Sequence, residues 1–180
     1  MIIGVVGSLG VGKSTLVEYL VSEKGFTSFR LSNVIREKYG KQDMSREELQ
    51  DGGNALRKKF GQSVLADETW EKIKEEDKNV VIDGLRNTGE VEFFRSKGRV
   101  YLISIGAPKK VRFERMKERS SERDPKNWQE FLKMDTRDLD ESFDFGQQTL
   151  KMMQIADFKL KNDGTIKELY IKIDEILNKI

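Results

Sequence analysis

An apolar run of strand length, residues 1–6, ends at Gly7, and residues 80–83 and 100–105 have the same character. Runs that stay apolar instead of alternating predict strands covered on both faces, as in a parallel sheet. Between them the apolar positions switch to the helical period over residues 14–23, 46–60, 64–76, 90–97 and 109–119. Strands alternating with helices predict an open α/β fold. Pro108 stands where a helix would begin and marks the exit from the strand before it. Near the other end, Thr165 and Glu168 form a capping-box pattern. Ile166, Leu169, Tyr170, Ile173, Ile176, Leu177 and Ile180 then recur at helical spacing, which predicts a core-facing closing helix. Residues 120–144 are the most polar part, around a lone Trp128, and read as a solvated excursion or a mobile lid. No repeat or Pro/Gly/Ser-rich linker interrupts the pattern.

Composition narrows the chemistry. At 180 residues the expectation is one domain with one continuous core. Charged residues are 36% of the chain, yet 33 Lys and Arg nearly balance 31 Asp and Glu, so no global field favours nucleic acid or membrane. Local binding of nucleic acid stays open. With neither cysteine nor histidine, thiolate nucleophiles, disulfides, imidazole bases and the usual zinc sites are excluded. Chemistry must run on carboxylates, Lys, Arg, hydroxyls, backbone amides and hard cations. No apolar run approaches a membrane span or a cleavable leader, and the expected location is the cytoplasm, as a monomer or homodimer.

The most specific motif is Gly7-Ser8-Leu9-Gly10-Val11-Gly12-Lys13-Ser14, which fits G-x-x-x-x-G-K-[ST] between an apolar strand and an amphipathic helix. Glycines let backbone N–H groups curl around phosphate oxygens at a helix N-terminus, where the dipole favours negative charge. Lys13 is expected to reach the β- and γ-phosphates of ATP, and Ser14 to hold magnesium through its hydroxyl. A guanine-specific N-K-x-D string is absent. An AAA-type motor would carry an acidic pair after an apolar strand; Asp67 and Glu68 instead continue into a helical pattern and read as helix surface. The better second carboxylate is Asp83, in Val80-Val81-Ile82-Asp83-Gly84-Leu85-Arg86. A strand-end Asp lies at the edge where open α/β sheets bind ligands, and would sit beside the phosphate loop if the two strands were neighbours. There it could hold magnesium's water shell, with Gly84 permitting a sharp turn and Arg86 offering a bidentate fork to a second substrate's phosphate.

On these residues a resemblance emerges. Gly7 to Thr15 resembles the P-loop of nucleoside monophosphate kinases and dephospho-coenzyme A kinases. The Asp83-Gly84-Leu85-Arg86 turn is similar to the D-G-F-P-R turn of adenylate kinases, and Asp83, Arg86 and Glu90 to a strand-end pattern of phage-type deoxynucleoside monophosphate kinases. Leu49 to Arg57 resembles the L-Q-x-x-G-x-x-x-R helix of the latter group. Ala156 to Thr165 resembles the A-D-x-x-I-x-N-x-G-[ST] ending of dephospho-coenzyme A kinases and related archaeal proteins. The resemblance implies a three-layer P-loop fold with a five-stranded parallel sheet, helices on both faces, an acceptor-binding arm at about 32–76 and a short Arg-bearing lid at about 116–140.

It also implies roles. Gly7, Ser8, Gly10, Val11, Gly12, Lys13, Ser14, Thr15, Asn162 and Gly164 would bind ATP together with the lid arginines Arg115 and Arg119. Arg112, Arg123 and Arg137 are further cations of that region. Leu31 to Arg36 looks like the family's acceptor segment, with Ser32-Asn33 in place of Gly-Asp. Arg36, Asn33, Gln50, Arg57 and Arg86 would meet the acceptor, with Asn54 beside them. Ser14 and Asp83 would hold magnesium, and Lys13, Asp83, Arg86 and Arg119 would carry catalysis. The expectation is an ATP- and magnesium-dependent kinase of a small phosphorylated acceptor, most simply a nucleoside or deoxynucleoside monophosphate. Such an acceptor is already anionic and needs no strong base. A dephospho-coenzyme A kinase-like hydroxyl kinase, a kinase of a nucleic-acid hydroxyl and a nucleotide-binding regulatory module are the alternatives.

Overall fold

The computed structural model describes residues 1–121 and 124–180. Its strands β1 (Ile2–Gly7), β2 (Thr27–Arg30), β3 (Val80–Asp83), β4 (Val100–Gly106) and β5 (Phe158–Lys161) form one parallel sheet in the order β2-β3-β1-β4-β5. The three apolar runs became the three central strands. Alternate residues serve opposite faces: Ile2, Val6, Val80, Ile82 and Leu102 pack on one side, and Ile3, Val5, Val81, Ile103 and Ile105 on the other. That double burial is why no polar alternation is seen in the sequence.

The first face is covered by α2 (Leu31–Tyr39), α3 (Arg46–Phe60), α4 (Val64–Trp70), α5 (Thr88–Lys97) and α8 (Thr149–Gln154) through Leu31, Ile35, Leu56, Leu65, Phe94 and Met152. The second is covered by α1 (Lys13–Lys24) and α9 (Ile166–Leu177), with Leu16, Leu20, Leu169 and Ile173 inside. Each such side chain taken fully from water contributes roughly 1.5–3 kcal/mol. The Thr165–Glu168 capping box starts α9 as the spacing predicts. Ile166, however, is 60% exposed and faces the cleft described below instead of the core.

Three expectations need correction. The helix expected over 64–76 stops at Trp70, and 3-residue turns closing on Thr69 and Trp70 follow it. Ile73 still packs on the core after Trp70, but it does so from these turns, with charged residues on either side. The edge strands β2 and β5 escape the apolar-run test because only part of each is covered; in Phe158–Lys161 only Leu160 is buried. The polar stretch 120–144 contains a further helix, α7 (Trp128–Leu139), whose Phe131, Asp135 and Asp138 are buried. It follows α6 (Lys109–Arg119), and Leu9, Met116 and Phe131 form a small third core between the phosphate-loop segment and these helices.

β1 lies between β3 and β4, so the chain crosses from one half of the sheet to the other around it. Crevices at the carboxyl ends of strands open at such a reversal. Gly7, Asp83 and Gly106 all end strands at that edge.

Candidate active site

The loop after β1 is shaped by backbone. Gly12 caps α1 at φ 99°, and a Cβ there would come within 2.5 Å of the Asn162 side-chain nitrogen, so both the turn and the close approach require glycine. Asn162 donates through Nδ2 to the Val11 carbonyl at 2.8 Å, fastening the loop to the end of β5. Lys13 donates through Nζ to the carbonyls of Gly7 at 2.6 Å and Ser8 at 2.8 Å. Gly7 and buried Ser8 thus form the floor of the loop, while Gly10, Val11, Gly12, Lys13, Ser14 and Thr15 line the open cleft. Burial first, then the neighbouring Arg86 charge, lowers the Lys13 pKa from 10.5 to about 8.

Asp83 arrives from β3, which pairs with β1, so the neighbouring-strand condition holds. Its Oδ2 accepts from Arg30 Nε at 2.8 Å across the β2–β3 pair, a partner that the sequence pattern did not single out. Gly84 takes φ 84°, the left-handed turn expected of it. Beyond the turn, Glu90 accepts from the Arg86 and Asn87 backbone N–H groups at 2.7 and 3.1 Å and from Arg57 Nε at 2.8 Å. Arg57 and Glu90 are wholly buried. Arg57 therefore lines the cleft with its guanidinium already committed to the turn that carries Arg86. Arg86 in turn reaches Asp138 of α7, with Nη1 3.0 Å from Oδ1.

The remaining arginines divide. Arg36 donates to Ser32 Oγ at 2.9 Å and to the Gln42 carbonyl at 3.1 Å at the cleft edge. Asn33 is exposed and outside the cleft lining; Ser32 faces the cleft instead. Arg115 donates to the carbonyls of Asn162 and Gly164 at 2.9 and 3.2 Å, placing it against the loop between β5 and α9. Arg119 makes a bidentate pair with Asp124 at 2.8 and 2.6 Å. Arg112, a further cation expected of the lid region, turns inward to Asp135, the Leu9 carbonyl and the Ala107 carbonyl. Arg137 pairs with Asp51 and Glu141 away from the cleft, and Asn54 donates to Glu141 at 2.8 Å. Arg123 lies outside the described residues.

Together these elements bound a cleft of about 800 Å³, also lined by Gln50, Arg46 and Gln147. Among the described lining residues, eight carry positive charge (Lys13, Arg30, Arg36, Arg46, Arg57, Arg86, Arg115, Arg119) and three carry negative charge (Asp83, Glu118, Asp138). A chain that is nearly neutral overall thus carries a local excess of positive charge here. Arg30, Arg46, Asp138 and Gln147 are cleft residues that the sequence reading did not assign. Only Asp138 carried any signal, as a member of the polar stretch.

A family profile described as an AAA domain matches residues 3–138. The chain is 34% identical over 179 residues to a UPF0200 protein of Sulfurisphaera tokodaii, covering 99% of this chain and 97% of that one. The chain belongs to the UPF0200 family and carries an AAA-family P-loop domain. A UPF0200 protein of Staphylothermus marinus is 32% identical, covering 99% of this chain and 92% of its own length. Among solved structures, the shikimate kinase of Aquifex aeolicus aligns at TM-score 0.57 and 22% identity, covering 99% of this chain and 96% of that one. TT1252 of Thermus thermophilus aligns at TM-score 0.59 and 18% identity, covering 100% and 97%. The UPF0200 fold seen here is thus a P-loop kinase fold, as the motifs imply. The AAA description brings no motor-type acidic pair on a strand: Asp67 and Glu68 lie on α4, with Asp67 exposed. The strand-end carboxylate beside the loop is Asp83.

Proposed function

We propose that this UPF0200 chain is an ATP- and magnesium-dependent phosphotransferase acting on a nucleoside or deoxynucleoside monophosphate. The observation that carries this reading is the distribution of charge in the cleft. The P-loop already provides for one polyphosphate, and a second set of cations, Arg30, Arg36 and Arg86, follows β2 and β3 on one side of β1, while Arg115 holds the loop after β5 on the other. Two anionic ligands meeting head to head account for both sets.

In this mechanism the triphosphate lies along Gly10 to Thr15, with Lys13 at its β- and γ-oxygens and the adenosine end towards Arg115, Asn162 and Gly164. An oxygen of the acceptor phosphate attacks the γ-phosphorus, the bond to the β-bridging oxygen breaks, and ADP leaves. No proton transfer is needed, which suits a site without histidine. The oxygen donors present suit magnesium: the exposed Ser14 hydroxyl and the Asp83 carboxylate would hold it, directly or through water, beside the phosphates. When bound it would neutralise charge on the bridging and terminal oxygens. Among the described residues no cluster of three acidic side chains offers a metal cage, so such an ion would depend on water and substrate phosphates for its remaining ligands. Arg36 and Arg86 grip the acceptor phosphate, residues 32–76 serve as the acceptor arm, and residues 116–140 serve as the lid that excludes water. Among the described residues no helix is long and apolar enough to cross a membrane, and we assign the reaction to the cytoplasm, where ATP is abundant.

The test is ADP release across ribo- and deoxyribonucleoside monophosphates, dephospho-coenzyme A and single-stranded DNA. A monophosphate should stimulate ADP formation and become a diphosphate. Lys13→Ala should lower turnover by two orders of magnitude or more, as loss of one charge-stabilising contact of about 3 kcal/mol implies, with the circular dichroism spectrum retained. Stimulation by dephospho-coenzyme A alone or by DNA alone would replace the acceptor. ATP binding without transfer would make the chain a regulatory module.

A further inference from the structure

Four buried side-chain atoms have no hydrogen-bond partner among the described residues: Arg46 Nε, Tyr101 Oη, Asp138 Oδ2 and Gln147 Oε1. Three of those four residues line the same cleft. Buried polar atoms are ordinarily satisfied, so a cluster of unsatisfied ones at a cavity marks where a ligand's polar groups belong. Arg46 Nε is a donor and suits one more phosphate oxygen. The other two are acceptors in a cleft otherwise dominated by donors, and they call for something a phosphate cannot supply.

Their position restricts what that is. Asp138 is 1% exposed, and its other oxygen is held by Arg86, the residue given the acceptor phosphate above. It also lies near enough to Lys13 to favour the charged ammonium. Asp138 thus belongs to the phosphate end of the acceptor site. Gln147, 2% exposed, is anchored by its backbone, its N–H donating to Glu141 at 2.8 Å. The next backbone N–H, of Gln148, donates to the Arg86 carbonyl at 2.7 Å, which keeps this segment beside the Arg86 turn. The two neighbouring glutamines differ in use. The Gln148 amide is consumed by Asp144 and Thr88, whereas Gln147 Oε1 is left over.

In a nucleoside 5′-monophosphate, the hydrogen-bond donors nearest the phosphate are the sugar hydroxyls; the base edge lies farther away. We propose that Asp138 Oδ2 and Gln147 Oε1 accept hydrogen bonds from the ribose hydroxyls of the acceptor, making the enzyme selective for ribonucleoside over 2′-deoxyribonucleoside monophosphates. This rests on the monophosphate reading above. A hydroxyl donating to a carboxylate is a strong, charge-assisted contact, and an analogue lacking it leaves a buried acceptor unpaired, which is the most effective way for a site to reject a ligand.

The experiment compares kcat/KM for each ribo/deoxy pair of the four common monophosphates in the wild type, Gln147→Met and Asp138→Asn. Thermal unfolding by circular dichroism accompanies each protein. The wild type should prefer the ribo member by about tenfold or more. Gln147→Met, which removes no internal hydrogen bond of the side-chain oxygen, should fold normally and bring the ratio towards one. Asp138→Asn should also compress the ratio, together with a general loss because Arg86 loses its partner. A purely structural role would depress both members of a pair equally and leave the ratio where it was. A wild type that uses both sugars equally, or a ratio that neither variant moves, overturns the ribose assignment alone. If no monophosphate of either sugar stimulates ADP formation, the acceptor reading fails and the ribose assignment fails with it.

Discussion

The phosphate loop itself supplies one cationic side chain, Lys13, on a tightly curved backbone. The facing wall is instead rich in guanidiniums, four of them clasped by a carboxylate: Arg30 by Asp83, Arg57 by Glu90, Arg86 by Asp138 and Arg119 by Asp124. The first region is drawn mostly from one local run of residues, fastened from a distance by Asn162. The second contains pairs drawn from different elements, except for Arg119 and Asp124, and the charges of those pairs are matched before any ligand arrives. A phosphate entering that wall must share or displace carboxylates that already hold its arginines. The loop asks no such exchange of an incoming triphosphate, except release of the Lys13 ammonium from its carbonyls.

The largest effect that would break this contrast lies beneath the wall. Arg57→Met leaves Glu90 charged, fully buried and without its cation, and should destabilise the protein by about 3–5 kcal/mol. In a chain of this size that corresponds to a fall in Tm on the order of 10 °C. Adding Glu90→Met should recover only part of it, because Glu90 also holds the Arg86 and Asn87 backbone N–H groups. A double variant as stable as the wild type would mean that the pair does not organise the turn.

A smaller effect tests the loop. Lys13 in the free protein titrates at about 8, and a triphosphate beside it favours the ammonium. ATP binding should therefore take up little proton at pH 7 and most of one near pH 9, with affinity falling by up to about tenfold per unit of pH above 8. Calorimetry in two buffers of different ionisation enthalpy measures the uptake, and Lys13→Ala should abolish it. The sign for folding is the reverse. Between about 8 and the ordinary lysine value of 10.5 the unfolded chain binds more protons, so this group makes the free protein more stable as pH rises.

The smallest effect separates partly exposed pairs from buried ones. Arg137 links α7 to Asp51 of α3 and to Glu141, but its side chain is 30% exposed. Arg137→Ala should change stability by no more than about 1 kcal/mol in chemical denaturation. A loss as large as that of Arg57→Met would show that the contact between α7 and α3 is a structural seam and not a surface association.

The contrast also explains what could be read from the residues in order. The central strands, the P-loop, the capping box of α9 and the strand-end Asp83 each depend on neighbours within a few positions, so the pattern carries them. Arg112 and Arg115 look alike on a helical wheel, yet one is drawn inward by Asp135, 23 residues on, and the other outward to carbonyls 47 and 49 residues on. Nothing local distinguishes them. The placement of Asp138 and Gln147 in the cleft is equally non-local, since it depends on the Arg86 turn that holds both segments. Helix α7 was hidden because its buried face includes Asp135 and Asp138, which read as surface until their arginines are known.

The bond from Asn162 to the Val11 carbonyl joins positions 151 residues apart. A ribosome has released the whole Gly7–Ser14 motif long before it makes the residue that fastens it, and before β5 takes its place at the edge of the sheet. During synthesis, therefore, the motif is present but the pocket is not. Any grip on a phosphate that needs the fastened loop would come late, when nearly all of the fold that would use it has already been made.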